Sequence, residues 1–273
     1  MNMIQITANS EISETQRMYI RNHKRHHFFV TIMRLAILLL FLLLWECAAK
    51  LEWIDTFFFS SPSLVIAFFI KMLLDGSFFV HTGITLFETL VSFFLITVIS
   101  LLVSTLLWYS KTFSEIAEPY LVVLNSLPKS ALAPLIIVWL GTGTKTIIVA
   151  GISVAIFGSI INLYTGFKQV DAEKLKLIIT LGGNRFTIFA KVIMPSSIPM
   201  LLSNMKVNIG LALVGVIIGE FLAARRGLGY LIIYGSQVFQ LNMVITSIII
   251  LCVIAMGLYQ CLQWIEHWYL KHN

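Results

Sequence analysis

Six apolar stretches follow one another along this chain, at about Ile32–Ala49, Ile84–Trp108, Ile116–Leu140, Thr146–Thr165, Pro199–Leu222 and Met243–Trp264. Each is close to the roughly 20 residues an α-helix needs to cross a bilayer's hydrocarbon core. A segment in lipid finds no water for its backbone and must bond its own N–H and C=O groups, which a helix does. The stretches therefore predict an all-α integral membrane protein of about six transmembrane helices. A water-soluble fold of this size has no interior that would hold them: 58% of the 273 residues are hydrophobic and only 12% are charged, a balance far from that of globular domains.

The polar remainder sets the orientation. Residues 1–30 carry Arg17, Arg21, Lys24 and Arg25 ahead of the first stretch, with no small-residue cleavage pattern near its end. They read as a basic cytoplasmic tail on a retained anchor, and residues 31–273 as the transmembrane domain. Ser61-Pro62 and Asp75-Gly76 bound a short segment by an N1 proline and a helix stop. Its apolar side and flanking Lys71 and Asp75 predict that it lies along the interface. With the N-terminus inside, eleven Lys and Arg fall on inner connections and five (Lys50, Lys71, Lys145, Arg225 and Arg226) on outer ones. That is the bias cytoplasmic loops carry, and it places both termini in the cytoplasm. Topology thus accounts for the net charge of +6 without nucleic acid, which would gather basic residues on one face. Cys47, Cys252 and Cys261 sit in apolar runs without C-x-x-C spacing and read as buried small side chains.

The longest inner connection, about 166–198, looks like two short helices. Asp171 can cap the first and Glu173 suits its positive end; Gly182-Gly183 supplies a left-handed stop, Asn184 can cap the second, and Pro195 closes it. Leu175, Ile178, Ile179 and Gly182 share one face by helical spacing, an apolar stripe that asks for a partner surface or for the lipid surface.

The spacing from Gly182 to Val192-Ile193-Met194-Pro195, together with Ser60-Ser61-Pro62-Ser63, Ser126-Leu127-Pro128-Lys129, Pro134 through Gly141, and Gly219-Glu220-Phe221 through Gly227-Leu228-Gly229-Tyr230, resembles the permease subunits of ABC importers in the nitrate, sulfonate and taurine group. The resemblance covers about residues 35–270. It implies a type I ABC importer-like permease with cytoplasmic coupling helices, and alternating access driven by ATP and Mg bound on partner ABC ATPase subunits, with no cofactor on this chain. It implies further an extracytoplasmic substrate-binding protein, a second permease copy as homodimer partner, and a bacterial cell membrane around them. The coupling-loop residues it points to are Asp171, Glu173, Lys176, Leu177, Ile178, Gly182, Val192, Met194 and Pro195. One departure stands out: Lys176-Leu177-Ile178 occupies the place of the family's Glu-Ala-Ala, with Asp171 or Glu173 as the available acids. Sulfonates, nitrate-like anions and pyrimidine or vitamin precursors all stay open as substrates, since such importers take their selectivity from the binding protein.

Polar residues inside the spans are candidates for the path. Asn125 and Lys129 precede Pro134, a proline that can break the third span and free its carbonyls. Lys206, flanked by Asn204 and Asn208, either lines the path or snorkels to the headgroups. Glu220 follows Gly215-x-x-x-Gly219, a spacing that permits close helix approach, so packing or a subunit interface competes with substrate contact there. Gly141 through Lys145 lacks the glycine spacing of a phosphate loop, and the histidines do not pair for zinc. An ion-coupled carrier or channel would show inverted repeats, and a membrane enzyme would cluster its acid, base or metal ligands; neither pattern is evident.

Overall fold

Leu-, Ile- and Phe-rich runs that must bond their own backbone fold as helices, and every regular element of the computed structural model, which describes residues 14–272, is helical. Residues 1–13 of the expected tail lie outside the described residues. The chain divides between Leu64 and Val65 into two compact units. In the first, α1 (Glu14–Lys50) contains Phe28–Lys50, long and apolar enough to cross a bilayer. A single turn, α2 (Thr56–Phe59), follows, its N-cap Asp55 accepting from the Phe57 N–H at 2.8 Å.

The helix α3 (Pro62–Leu74) straddles the division and buries Val65 and Met72. The second unit continues through α4 (Ser77–Tyr109), α5 (Lys111–Ser126), α6 (Lys129–Leu140), α7 (Thr144–Lys168), α8 (Ala172–Thr180), α9 (Arg185–Ile188), a π-helical turn (Phe189–Ile193), α10 (Met194–Ala223), α11 (Leu228–Gln237) and α12 (Leu241–His272). At its centre α4, α7 and α10 pack side by side. The buried side chains of α4 are Thr85, Glu88, Thr89, Ser92, Ile96, Ser100, Ser104 and Leu107, a recurrence that places them on one face. Five of these eight are Ser or Thr, and small residues let helices approach closely in lipid, where dispersion and interhelical hydrogen bonds hold them together. The Gly215-x-x-x-Gly219 stripe of α10 does the same toward α7: a methyl on Gly215 would lie 2.8 Å from Gly151 Cα, and one on Gly219 would lie 3.0 Å from Ile147 Cα.

These contacts fix the helix directions. Ser92 meets Ile148 and Ser100 meets Ser159, so α4 and α7 run parallel. Gly219 meets Ile147 while Met200 meets Gly166, so α10 runs antiparallel to both. Between two parallel helices the chain has to travel back, and α5 with α6 makes that return. The expected straight third span is instead a broken one, its halves bent by 98°. Its break lies at Leu127-Pro128 and not at Pro134, which sits inside α6. Proline forces the residue before it out of helical geometry, and Leu127 accordingly has φ −64° and ψ 141°. Pro134 stands five residues into α6 and deprives only that helix's first turn of a bond. Five helices among the described residues are long and apolar enough to cross a membrane, and counting the broken pair as one span makes six, the number the apolar stretches predict.

Pro195 also departs from expectation. It does not close a helix, because Arg185–Ala223 is one continuous helical run. The π-helical turn immediately before it moves the hydrogen-bond register from i+4 to i+5, which relieves the clash a proline ring makes with the carbonyl four residues back. Beyond α10, Leu228 and Leu231 of α11, Ile250 and Leu251 of α12, Leu213 and Met72 form one apolar cluster.

Candidate functional site

The connection 166–198 is built by short-range rules and then tied to the bundle. Asp171 accepts from the Glu173 N–H at 2.9 Å and starts α8. Gly182, at φ +82°, ends it: the Gly183 N–H reaches Ile178 O and the Gly182 N–H reaches Ile179 O, both at 2.9 Å, the paired bonds of a Schellman stop. Asn184 Oδ1 then caps α9, accepting from the Thr187 N–H at 2.8 Å and its hydroxyl at 2.9 Å. Arg185 Nη1 donates to Tyr109 O at 2.9 Å, satisfying a carbonyl that the end of α4 leaves without an intrahelical partner. Sequence reasoning missed this anchor.

The apolar stripe of α8 splits in two. Leu175 and Ile178 turn inward onto Phe167, Ile188 and Ile193 of the same chain. Outward, Leu177, Ile179, Leu181 and Phe186 stay 59–73% exposed. Val192 is buried, Met194 half-buried and Pro195 exposed beside them. Asp171 spends its carboxylate on the cap, whereas Glu173 and Lys176 are exposed.

The five path candidates fall in four places. Asn125 and Lys129 flank the break between α5 and α6, where the Lys129 ammonium donates to the carbonyls of Leu124 (3.3 Å) and Asn125. A kink thus frees carbonyls and the next cation collects them. Asn208 is 2% exposed inside the bundle. It and Asn204 each donate to Ser159 Oγ at 2.8 Å, and that hydroxyl donates to Ser100 Oγ at 2.9 Å, a polar seam that joins α4, α7 and α10. Lys206 has a counter-ion: its ammonium donates to Glu266 Oε2 of α12 at 2.6 Å, with the two side chains 17% and 15% exposed. Glu266 was missed, although an intramembrane charge calls for a counter-charge and Glu266 lies within the last span.

Glu220, fully buried, clamps the turn between α10 and α11. Its Oε1 accepts from the Thr85 hydroxyl at 2.7 Å and its Oε2 from the Gly229 N–H at 2.5 Å, while Thr85 Oγ1 accepts from the Leu228 N–H at 2.8 Å. Gly227 takes φ +119°, and a side chain there would collide with the Glu220 carboxylate. His81 Nδ1 lies 3.0 Å from the Gly227 nitrogen, with its ring stacked on Tyr230.

Residues 96–269 match the family described as "Binding-protein-dependent transport system inner membrane component". A putative aliphatic sulfonates transport permease of Bacillus subtilis is 27% identical over 77% of this chain and 76% of its own length. A riboflavin transport system permease of Chloroflexus aurantiacus is 28% identical over 81% and 83%. Among solved structures, a chain of the MetNI methionine ABC transporter superposes with a TM-score of 0.61 at 20% identity, over 68% of this chain and 92% of that one, a likeness of fold. Taken with five to six candidate spans and a capped, anchored loop pair ahead of the long α10 run, these matches place the chain in the binding-protein-dependent transport system inner membrane components, as a multi-pass permease subunit of an ABC importer.

Proposed function

We propose that the connection 166–198 is the docking element for an ABC ATPase and that α10 carries its movement to the path. The observation that carries this reading is the division of labour within α8 and α9. Leu175, Ile178 and Arg185 hold the loop to the bundle, while Leu177, Ile179, Leu181 and Phe186 present an exposed apolar face. Four large apolar side chains on a short loop helix pair outside the spans are stable when a partner covers them. Glu173, free of the cap that occupies Asp171, supplies the acidic contact displaced from Lys176-Leu177-Ile178. From Met194 to Ala223 the 30 residues of α10 extend about 45 Å, so a rotation imposed at the loop reaches the Glu220 clamp at the other end.

In this reading ATP and Mg are held by the partner, and this chain contributes the lever and half of a path completed by a second copy. Asn125 and Lys129 at the broken span line that path, with Asn208 and Lys206 fixing the helix behind it. The loop end faces the cytoplasm with both termini, residues 1–30 form a basic tail outside the transmembrane domain, and the opposite end meets a substrate-binding protein. Solutes of the kind its relatives are named for, a sulfonate or a vitamin-like heterocycle, are the substrate classes to test first. The test is purification of the complex and comparison of its substrate-stimulated ATPase with that of Leu177→Asp and Phe186→Asp variants. Loss of stimulation in a folded variant is expected; unchanged stimulation, or a chain that transports without an ATPase, overturns the reading.

A further inference from the structure

The first N–H groups of a helix have no partner within it. At the start of α11 three consecutive ones are met by side chains of α4 and α10. The Gly227 N–H donates to His81 Nδ1 at 3.0 Å, the Leu228 N–H to Thr85 Oγ1 at 2.8 Å and the Gly229 N–H to Glu220 Oε2 at 2.5 Å. His81 and Thr85 stand one helical turn apart and so share a face of α4. What Gly227 already has decides the tautomer of the ring. Its carbonyl accepts from the Leu231 N–H at 3.2 Å, whereas its buried N–H has the ring as its one partner among the described residues. A neutral His81 therefore carries its hydrogen on Nε2 and accepts at Nδ1. Protonation puts a hydrogen on Nδ1 as well, and two donors then face each other. The Gly227 carbonyl lies 3.1 Å from the same ring nitrogen and has a second lone pair. The imidazolium thus has an acceptor to turn to, while the Gly227 N–H loses its own.

The ring is open to solvent protons: His81 is half-buried and lines a cavity of about 230 Å³ with Lys71, Asp75 and Gln240. The charged and titratable groups that face it are Lys71 of α3, Asp75 of the turn after α3, Arg226 of the turn before α11, and Tyr230 of α11, whose ring stacks on it at 6.5 Å. We infer that His81 is a proton-responsive positioning residue for the turn between α10 and α11. Neutral, it caps α11 through the Gly227 N–H; protonated, it lets that N–H go and loosens the turn that carries Arg225 and Arg226. The inference goes beyond the importer reading, since it concerns the end of the bundle opposite the coupling loop and needs no partner.

The test is residue-resolved amide hydrogen exchange of the full-length permease in nanodiscs at about pH 5 and about pH 8, the span over which histidine titrates, beside a His81→Asn variant. The Asn Oδ1 stands where the ring nitrogen does and accepts at either pH. Intrinsic exchange itself changes with pH, so the Gly227 rate is taken relative to that of Leu228, whose acceptor Thr85 does not titrate. In the wild type this ratio is expected to rise roughly 5-fold in acid, the loss of about one hydrogen bond, and in His81→Asn to stay constant. Should the variant fail to fold, the wild-type ratio decides: a rise confined to Gly227 supports the inference and an unchanged ratio overturns it. A rise that persists in His81→Asn overturns it too. So does opening of Gly229 in place of Gly227, which would assign the response to the Glu220 carboxylate. The ATPase is absent from this experiment, so its outcome leaves the docking assay untouched.

Discussion

Glu220 and Lys206 occupy similar settings, charged groups inside apolar helices, and the structure answers the same problem in two ways. Glu220 is paired with backbone and hydroxyl donors, so its surroundings have no room to spare: a methyl on Gly229 would lie 2.8 Å from Glu220 Oε2. Gly229→Ala is therefore expected to displace the carboxylate and lower stability by about 1–3 kcal/mol, the cost of an unmade buried bond, seen as a lower Tm of the detergent-solubilised chain. An unchanged Tm would mean that the turn does not depend on this clamp. Lys206 is paired with a counter-ion instead, and removing one partner strands the other. Lys206→Met is expected to cost about 2 kcal/mol, and Lys206→Met with Glu266→Leu to recover most of it, because two apolar side chains replace an ion pair at little loss. A double variant no more stable than the single one would show that Glu266 needs no partner. Both charged residues were visible as outliers in apolar runs, but the partners Thr85, Gly229 and Glu266 lie 9 to 135 residues away. Helical periodicity does not report a contact at that separation.

Helix ends were far more legible than helix pairings. Asp171, Gly182 and Asn184 act through bonds that span only two to five residues, and capping depends on that local geometry alone. Prolines misled because a ring's effect depends on where it falls in a helix. Pro134, whose missing bond falls on a first-turn carbonyl, and Pro195 after a π-helical turn are tolerated, while Pro128 breaks the chain because both it and Leu127 are extended. The apolar stripe of α8 was seen but its partner-facing side was not, since which flank turns inward is set by Phe167, Ile188 and Ile193. The π-helical turn is a testable joint. Its extra residue rotates everything before it by about 100° relative to an unbroken α-helix, the turn per residue of 3.6-residue geometry. Deleting Ala190, exposed between Phe189 and Lys191 in that turn, should restore i+4 bonding and swing α8 away from the base of α4. The expected result is a folded permease that keeps its ATPase bound weakly or not at all, read by co-purification. Normal coupling in the deletion variant would show that the turn serves only to seat Pro195.

At the scale of the whole molecule, the number of candidate spans followed from apolar length, and the close approach of α10 to a neighbouring helix was foreshadowed by Gly215-x-x-x-Gly219, though not its antiparallel direction. The parallel pairing of α4 with α7 was not, because its determinants are serines spread over a face that reads as ordinary apolar helix. That pairing nevertheless puts the coupling loop and Tyr109 at one end of the bundle and Lys145, Arg225 and Glu88 at the other. The proposed orientation predicts which end meets the cytoplasm: five Lys and Arg between Lys168 and Lys191 outnumber the three at Lys145, Arg225 and Arg226, and cytoplasmic loops carry an excess of Lys and Arg. Single cysteines read this out directly in a chain whose Cys47, Cys252 and Cys261, exposed and not buried as their apolar runs suggested, are replaced by serine. In intact cells a membrane-impermeant maleimide should label Lys145→Cys, and should reach Leu181→Cys only after the membrane is opened. The two positions lie on exposed residues at opposite ends of the bundle, so each serves as the control for the other. The reverse pattern would turn Leu177, Leu181 and Phe186 outward, beyond the reach of any ATP-binding partner, and the docking role of that face would have to be given up.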